Sequence, residues 1–405
     1  MYLLTKMRSF KYFIQDIPFK SLKEFLKYFK TFYYFGFYGR YLKGKSLVEV
    51  RKNKFIRLLS KKSLEQPNSI WSEFRKADYK NLRVVFTINA FEGLGGVEVW
   101  LYQMASELNK RGIKLLVYTK ITGAMSERAT SNRIAVTSNI SEVLKFNPNL
   151  VHLHHASNKD IFKLIQNLDK RIPIFNLIHG VAPVLCHPFL DESRKVVYGA
   201  VSKLAVESTS FITGISVNKI YLLKNFSPPH NIVLTENSFD RGRVAIVSSK
   251  VKMSNAIKWS KLFKELSIDL DFYGNKSSNI VLDYSDITNQ YDFFLCTGKT
   301  AIDIMGFGKP VMLLEENLLG PAVVSGNIQF LSDMNFSLGN PLVDVIKLDE
   351  IGILEKIKSS ISQMKINNFE ETNLTLFREN SLELAADHLT SIYTSLIESS
   401  NLQIN

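Results

Sequence analysis

The chain has 405 residues, 45% of them apolar, enough for two domains with real cores. Its formal charge of +13 sits at one end: residues 1–80 carry 19 Lys/Arg against 6 Asp/Glu, and residues 81–405 carry 32 of each. The body therefore needs no acidic partner. Two distant cysteines, Cys186 and Cys296, exclude a disulfide framework and make a reduced compartment the default. There is no secretory leader pattern and no apolar run of about 18 residues, so a cytoplasmic chain without a transmembrane helix is expected.

In chain order, the first predicted element is a basic amphipathic helix over 19–33. Phe19, Leu22, Leu26, Phe29 and Tyr33 form one stripe, and Lys20, Lys23, Lys27 and Lys30 another. The aromatic-dense stretch 31–42 follows. Aromatics flanked by lysines suit an anionic membrane surface, reached through residues 1–45. The same pattern fits a helical hairpin packed on the body or a partner protein. No nucleic-acid motif accompanies it, and the charge does not continue into the domains. Residues 60–80 read as a linker.

The body opens with an apolar strand, 82–88, and the glycine loop Gly93-Leu94-Gly95-Gly96. A helix begins at Val97. Its residues Val97, Trp100, Leu101, Met104 and Leu108 share one face, and Gly112 stands where a left-handed cap is wanted. A strand over 113–118 closes the unit. Glycines before a helix let a ligand approach bare backbone at its positive end, or simply make a tight turn. The loop is neither GxGxxG nor a Walker loop. After a polar stretch, 122–139, come strand ends at 150–155 (with His152, His154 and His155), at 174–178 (followed by His179-Gly180) and at 195–201. Short apolar strands separated by helical segments predict a parallel sheet covered on both faces. Ligands of such sheets bind beyond the carboxyl ends of the strands. Gly95, Gly96, the 152–155 cluster and His179 should therefore share one rim. A second series follows: strand 243–247, helix 256–266, strand 268–273, strand 291–295, helix 300–307 and strand 311–314. The glycine turn Cys296-Thr297-Gly298-Lys299 leads into the second of these helices. A last helix is predicted over 380–398.

The order of these pieces resembles the GT-B fold retaining glycosyltransferases of the large family 4, over about residues 81–398. The carrying motifs are Gly95-Gly96-Val97-Glu98, the strand end Pro148-Asn149-Leu150-Val151-His152-Leu153-His154, His179-Gly180, the hinge-like Asn237-Ser238-Phe239-Asp240, and Ile302-Asp303-Ile304-Met305-Gly306-Phe307-Gly308-Lys309-Pro310-Val311. There are departures. The family has two glutamates eight positions apart; Asp303 holds the second place and Leu295 the first. The family's Gly-Arg and Lys-Gly phosphate pair is blurred into Ser248-Ser249-Lys250-Val251-Lys252.

The resemblance implies two doubly wound Rossmann-like domains facing a cleft. The expected bounds are 1–80 for the extension and linker, 81–238 for the acceptor domain, 239–378 for the nucleotide-sugar domain, and 379–405 for a helix crossing back and a tail. It implies sugar transfer with retention from a nucleotide-sugar donor to a glycan acceptor, lipid-carried as in bacterial surface polysaccharide (lipopolysaccharide or capsule) assembly. No metal and no cofactor are implied, and the enzyme would lie peripherally on the inner face of the cell membrane.

Charge grows on the leaving phosphate as the glycosidic bond breaks, so fixed cations and N–H groups must meet it. Lys250 or Lys252 supplies a cation; Gly298, Lys299 and Thr300 supply N–H groups; Asp303 accepts from a ribose hydroxyl; Gly95 and Gly96 lie against the donor or the acceptor. His154 and His179 are the catalytic candidates, as neutral imidazoles able to bond sugar hydroxyls and carry protons. Each has a plainer reading: surface lysines, an ordinary turn and N-cap, an acid favoured by a helix dipole, satisfied core histidines. Glu98 reads as stabilising its own helix start. A non-catalytic GT-B module binding a glycan or protein partner is the alternative that Leu295 favours.

Overall fold

The computed structural model describes residues 82–401, apart from 94, 156–158, 181–187, 229–238, 240, 275–280, 282, 339–342, 367–375 and 377–379. The basic extension, with its expected helix and membrane surface, lies outside the described residues, as does most of the hinge-like 237–240.

The first half runs β1 (Arg83–Thr87), β2 (Ala90–Phe91), α1 (Gly96–Lys110), β3 (Lys114–Tyr118), β4 (Ile121–Thr122), α2 (Ala124–Ser131), β5 (Ala135–Thr137), α3 (Ile140–Phe146), β6 (Leu150–Leu153), α4 (Lys159–Asn167), β7 (Ile174–Ile178), β8 (Val196–Ala200), α5 (Lys203–Thr213) and β9 (Tyr221–Leu222). Seven of these strands form one sheet in the order β5-β3-β1-β6-β7-β8-β9. Every pairing in it is parallel. Burial on both faces explains the unbroken apolar runs: Val84, Val85 and Phe86 are each 0% exposed. The strand order reverses between β1 and β6, so the loops after these two strands diverge and leave a crevice.

α1 forms as its periodicity predicts. Trp100, Leu101, Met104 and Leu108 are buried against the sheet, each contributing on the order of 1.5–3 kcal/mol. Gly112 takes φ +84°, the left-handed conformation that ends the helix. The polar stretch 122–139 is not a loop: it holds α2 and β5. Met125 and Ala129 anchor α2 to the core. Their spacing of four residues was hidden among Ser, Thr, Glu and Arg.

The second half runs β10 (Arg243–Val247), α6 (Met253–Lys264), β11 (Asp269–Tyr273), α7 (Ser285–Thr288), β12 (Phe293–Cys296), α8 (Lys299–Gly306), β13 (Val311–Glu315), β14 (Leu318–Ala322), α9 (Ile328–Asp333), β15 (Ile346–Lys347) and α10 (Ile353–Ile366). The sheet order is β11-β10-β12-β13-β14-β15. The first four strands are parallel, as expected. β14 and β15 are antiparallel additions. Only Glu316 and Asn317 join β13 to β14, with Glu316 at φ +55°, and two residues leave no room for a crossover helix.

The last helix, α11 (Leu382–Asn401), packs on the first sheet's core. Ala386, Leu389, Ile392 and Tyr393 are buried there. The Arg111 guanidinium donates to Glu107 at 2.8 Å, to Asp387 at 2.5 Å and to the Glu383 carbonyl at 3.1 Å, tying α11 to α1. Among the described residues, no helix is long and apolar enough to cross a membrane.

Candidate functional site

The glycine loop is organised by Glu98. Its carboxylate accepts from the backbone N–H of Glu92 (2.9 Å), Gly93 (2.8 Å) and Gly95 (2.7 Å). The loop is thereby folded onto the start of α1, with negative charge where the helix dipole favours it. A Cβ at position 95 would sit 2.3 Å from Glu98 Oε2, so a larger residue there would push this carboxylate off the loop N–H groups. Gly96 has a different neighbour. Its Cβ position lies 3.4 Å from Lys299 Cβ, an ordinary contact distance, so α1 lies directly against the start of α8 with little room for more than a methyl group.

α8 begins at a turn that glycine makes possible. Gly298 has φ +63°, and its N–H donates to the Phe336 carbonyl at 3.0 Å. Lys299 and Asp303 follow one turn apart, their side chains 3% and 1% exposed. Lys299 Nζ lies 2.5 Å from Asp303 Oδ1 and 2.5 Å from Gln103 Oε1 of α1, with the Phe226 ring centroid 5.1 Å away. Gln103 Nε2 donates to Asp303 Oδ1 at 3.5 Å. The two halves of the molecule thus meet through a buried three-residue cluster. Burial draws both charged groups toward neutrality, holding Lys299 below and Asp303 above their ordinary ranges. Asp303 Oδ2 is buried without a hydrogen-bond partner among the described residues.

A cavity of about 270 Å³ opens beside this cluster. Tyr102, Gln103, Ser106 and Arg128 line it from the first half, and Asp283, Tyr284, Asp303 and Phe307 from the second. Arg128 donates to Asp283 at 3.1 Å across the gap and lies over the Tyr102 ring. The Tyr284 hydroxyl is 3.4 Å from Thr300 Oγ1. Elsewhere on the same junction Asp333 meets Lys203 at 2.7 Å and Lys224 at 3.3 Å. The cavity is mixed in character: aromatic walls, a few convergent polar groups, and one unpartnered carboxylate oxygen. That is the composition of a small-molecule site.

The histidines form a separate cluster at the carboxyl ends of β6 and β7, beneath α1. His154 Nδ1 and His179 Nε2 are 2.8 Å apart, sharing one proton. The His152 and His154 rings stack at 4.3 Å. Trp100 stands edge-on to His152, His154 and His179. His152 Nδ1 bonds the Tyr393 hydroxyl of α11. Burial holds all four rings neutral: it pushes His155 down to about 4 and His179 to about 3, and holds His152 and His154 well below the usual range. The Nε2 atoms of His152 and His154 and the Trp100 indole N–H are buried without partners among the described residues.

Of the residues singled out from sequence, the structure brings Gly96, Lys299 and Asp303 together, with Thr300 adjoining. Only Asp303 among them lines the cavity. His154 (1% exposed) and His179 pair with each other under Trp100 and do not line it. Lys250 is exposed and ion-paired to Glu315 at 3.1 Å, and Lys252 is exposed at the N-cap of α6. Among the described residues, no three His, Cys, Asp or Glu side chains converge as a metal site. Sequence reasoning missed Tyr102, Gln103, Arg128 and Tyr284. A signal did exist for two of them. Tyr102, Gln103, Ser106 and Lys110 form a second stripe on α1, opposite the apolar one, mixing an aromatic, an amide and a hydroxyl.

No protein-family model matches the sequence, and no curated protein does. Solved structures do match. A glycosyltransferase from Rickettsia africae aligns with a TM-score of 0.52 at 14% identity, over 78% of this chain and 99% of that one. The fold is GT-B. HepE from Anabaena, solved with UDP and glucose, aligns more loosely, with a TM-score of 0.49 at 12% identity, over 78% of this chain and all of that one. At these identities the likeness is one of fold: two Rossmann-like sheets whose strand ends face each other across the junction that holds the cavity.

Proposed function

We propose that this chain is a nucleotide-sugar-dependent glycosyltransferase of the family 4 type, acting with retention on a glycan carried by a lipid, in bacterial surface polysaccharide assembly. The observation that carries the reading is the junction itself. The start of α8, with Gly298 at positive φ, faces Gly95-Gly96, and the unpartnered Asp303 Oδ2 lies at the edge of a cavity between the two halves. The nucleoside occupies the cavity, where Asp303 Oδ2 accepts from a ribose hydroxyl and Tyr284 and Tyr102 offer aromatic walls. The volume, about 270 Å³, is just under the range of about 300–1,000 Å³ for whole ligand sites. It suits part of a donor, with the diphosphate and sugar continuing past the start of α8.

The backbone N–H groups of Lys299 and Thr300 meet the diphosphate. Lys250 or Lys252 supplies a cation from the adjacent strand end, and Lys299 supplies another once it leaves Asp303. His154 and His179, neutral at pH 7, are the groups able to pass a proton near the acceptor, reached through the crevice between β1 and β6. Residues 1–45 bring the enzyme to the inner face of the membrane, where lipid-carried acceptors reside.

The fold shared with a protein named a glycosyltransferase supports this reading. A second reading, a non-catalytic GT-B module, is favoured by Leu295: it is buried in β12, eight positions before Asp303, where family 4 has its first glutamate. A thermal-shift panel with UDP, GDP, ADP and CMP separates the two. One nucleotide at about 100 times its Kd adds roughly 2.7 kcal/mol of stability. The Asp303→Asn chain, tested in parallel, should lose that increment. No shift with any nucleotide at millimolar concentration selects the non-catalytic module.

A further inference from the structure

We infer that the outer face of α6 is a docking surface for an anionic lipid bilayer, separate from residues 1–45. The helix buries Ala256, Trp259 and Phe263 against the second sheet. Its opposite face keeps Met253 and Ile257, one turn apart, 43% and 52% exposed. Lys258, Lys261 and Lys264 share or flank that stripe, and Met253–Lys264 contains no acid at all. Lys264 is neutralised by Asp269 at 2.7 Å. Lys258 and Lys261 meet no carboxylate among the described residues; the neighbouring acids are Asp269, taken up by Lys264, and Glu265, just past the helix end. An exposed apolar pair ringed by lysines is the pattern of a helix that rests its apolar side chains at the headgroup boundary while its ammonium groups meet lipid phosphate.

Charge chooses the occupant. A second copy of this face would set lysine against lysine. The chain's own residues 1–80, with 19 Lys/Arg against 6 Asp/Glu, are repelled for the same reason. Nucleic acid would satisfy the lysines but would leave Met253 and Ile257 in water. An anionic bilayer satisfies both. The inference is independent of the proposed activity, since it concerns only where the second half of the molecule meets lipid.

The test uses the full chain with Cys186→Ser and Ile257→Cys, labelled at position 257 with an environment-sensitive dye; Cys296 is buried and stays unlabelled. Phosphatidylglycerol-containing vesicles should shift the dye emission to the blue, and pure phosphatidylcholine vesicles should not. Lys258→Gln with Lys261→Gln should weaken the dye-reported affinity about 30-fold, since each surface lysine near an anionic leaflet contributes about a fivefold factor. Met253→Ser should weaken it as well. Met253, Ile257, Lys258 and Lys261 are all exposed, so their replacement should not move the thermal midpoint, and a lost signal then reports binding rather than folding. A silent dye while the chain still sediments with vesicles would assign binding to another part and overturn the inference. No binding, or a dye shift with duplex DNA matching that with vesicles, would overturn it too.

Discussion

Replacing Asp303 by leucine isolates the pair that joins the two halves. The carboxylate is 1% exposed and its ammonium partner 3% exposed, 2.5 Å apart. Removing one member of such a pair strands the other charge away from water, which costs about 3–5 kcal/mol. Lys299 keeps Gln103 Oε1 at 2.5 Å and the Phe226 ring at 5.1 Å. Those remaining partners put the expected loss at the lower end, about 3 kcal/mol. Replacing both members, Lys299→Met with Asp303→Leu, removes both desolvation penalties and fills the volume with apolar atoms. It should fall within about 1 kcal/mol of the parent, on either side. Urea unfolding at pH 7, read as midpoint and slope, gives both numbers. The single variant should also recover with pH. Burial sets the folded-state pKa of Lys299 below its unfolded value, so between the two the unfolded chain binds the extra proton and stability rises with pH. Without Asp303 the folded-state pKa falls further and the rise steepens, so the penalty at about pH 9 is smaller than at pH 7. Equal losses in the single and double variants would refute the reasoning, because the cost would then come from packing rather than from an unpaired buried charge.

Tyr393→Phe removes the hydroxyl that bonds His152 Nδ1, in a ring whose Nε2 has no partner among the described residues. A loss of about 1–3 kcal/mol, by thermal or urea unfolding, is expected. Acid should weaken the fold through the same cluster. His152, His154, His155 and His179 have folded-state pKa values below the unfolded 6.5, two of them at about 4 and about 3. The unfolded chain therefore takes up protons that the folded chain refuses, and stability falls as pH drops from about 6.5 toward 3. A urea midpoint unchanged between pH 7 and pH 5 would contradict this. Glu98→Ala leaves three loop N–H groups without their acceptor, two of them half-buried. Each loses a charge-assisted bond, partly replaced by water, so about 2 kcal/mol and faster hydrogen exchange at Gly93 and Gly95 are expected. Gly96→Val pushes methyl groups toward Lys299, whose Cβ is already 3.4 Å from the Cβ position. Small-angle scattering should report a larger radius of gyration, and an unchanged value would mean that the junction takes up the valine without separating α1 from α8.

Strands β1, β7, β10 and β13 were legible within two residues at either end, because parallel strands buried on both faces read as unbroken apolar runs. α1 was legible for the complementary reason: one face is apolar at helical spacing and a glycine ends it. β14 was not, since Leu318-Leu319-Gly320-Pro321 looks like a loop until a two-residue turn folds it back on β13. The site was legible in part. Gly96 and Asp303 announce themselves by motif, but Gln103, which bonds Asp303 and Lys299, belongs to no motif. It is found only when two helices nearly 200 residues apart are set side by side. The histidines show the opposite limit. Three in four residues at a strand end look like a functional cluster in sequence, while the seating of His152 and His154 under Trp100 and the bond of His152 to α11 are tertiary facts.

The junction carries a consequence for any ligand that enters between α1 and α8. Lys299 now spends its charge on Asp303 and Gln103, and its Cβ is in contact distance of Gly96. A phosphate arriving there competes with a carboxylate already in place, so it gains the attraction of Lys299 only by leaving Asp303 unpaired. Binding is then favourable overall only if Asp303 gains a partner in the same event. Its Oδ1 loses Lys299 while its Oδ2 has none to begin with, so the arriving molecule must bring hydroxyl donors as well as negative charge. Pyrophosphate brings chiefly the charge, a nucleoside only the hydroxyls. A nucleoside diphosphate brings both, tethered, so its affinity should exceed the product of the affinities of its two parts. Calorimetric titration with pyrophosphate, a nucleoside and the corresponding nucleoside diphosphate measures that surplus, and its absence would mean that Lys299 and Asp303 stay paired while ligand binds elsewhere.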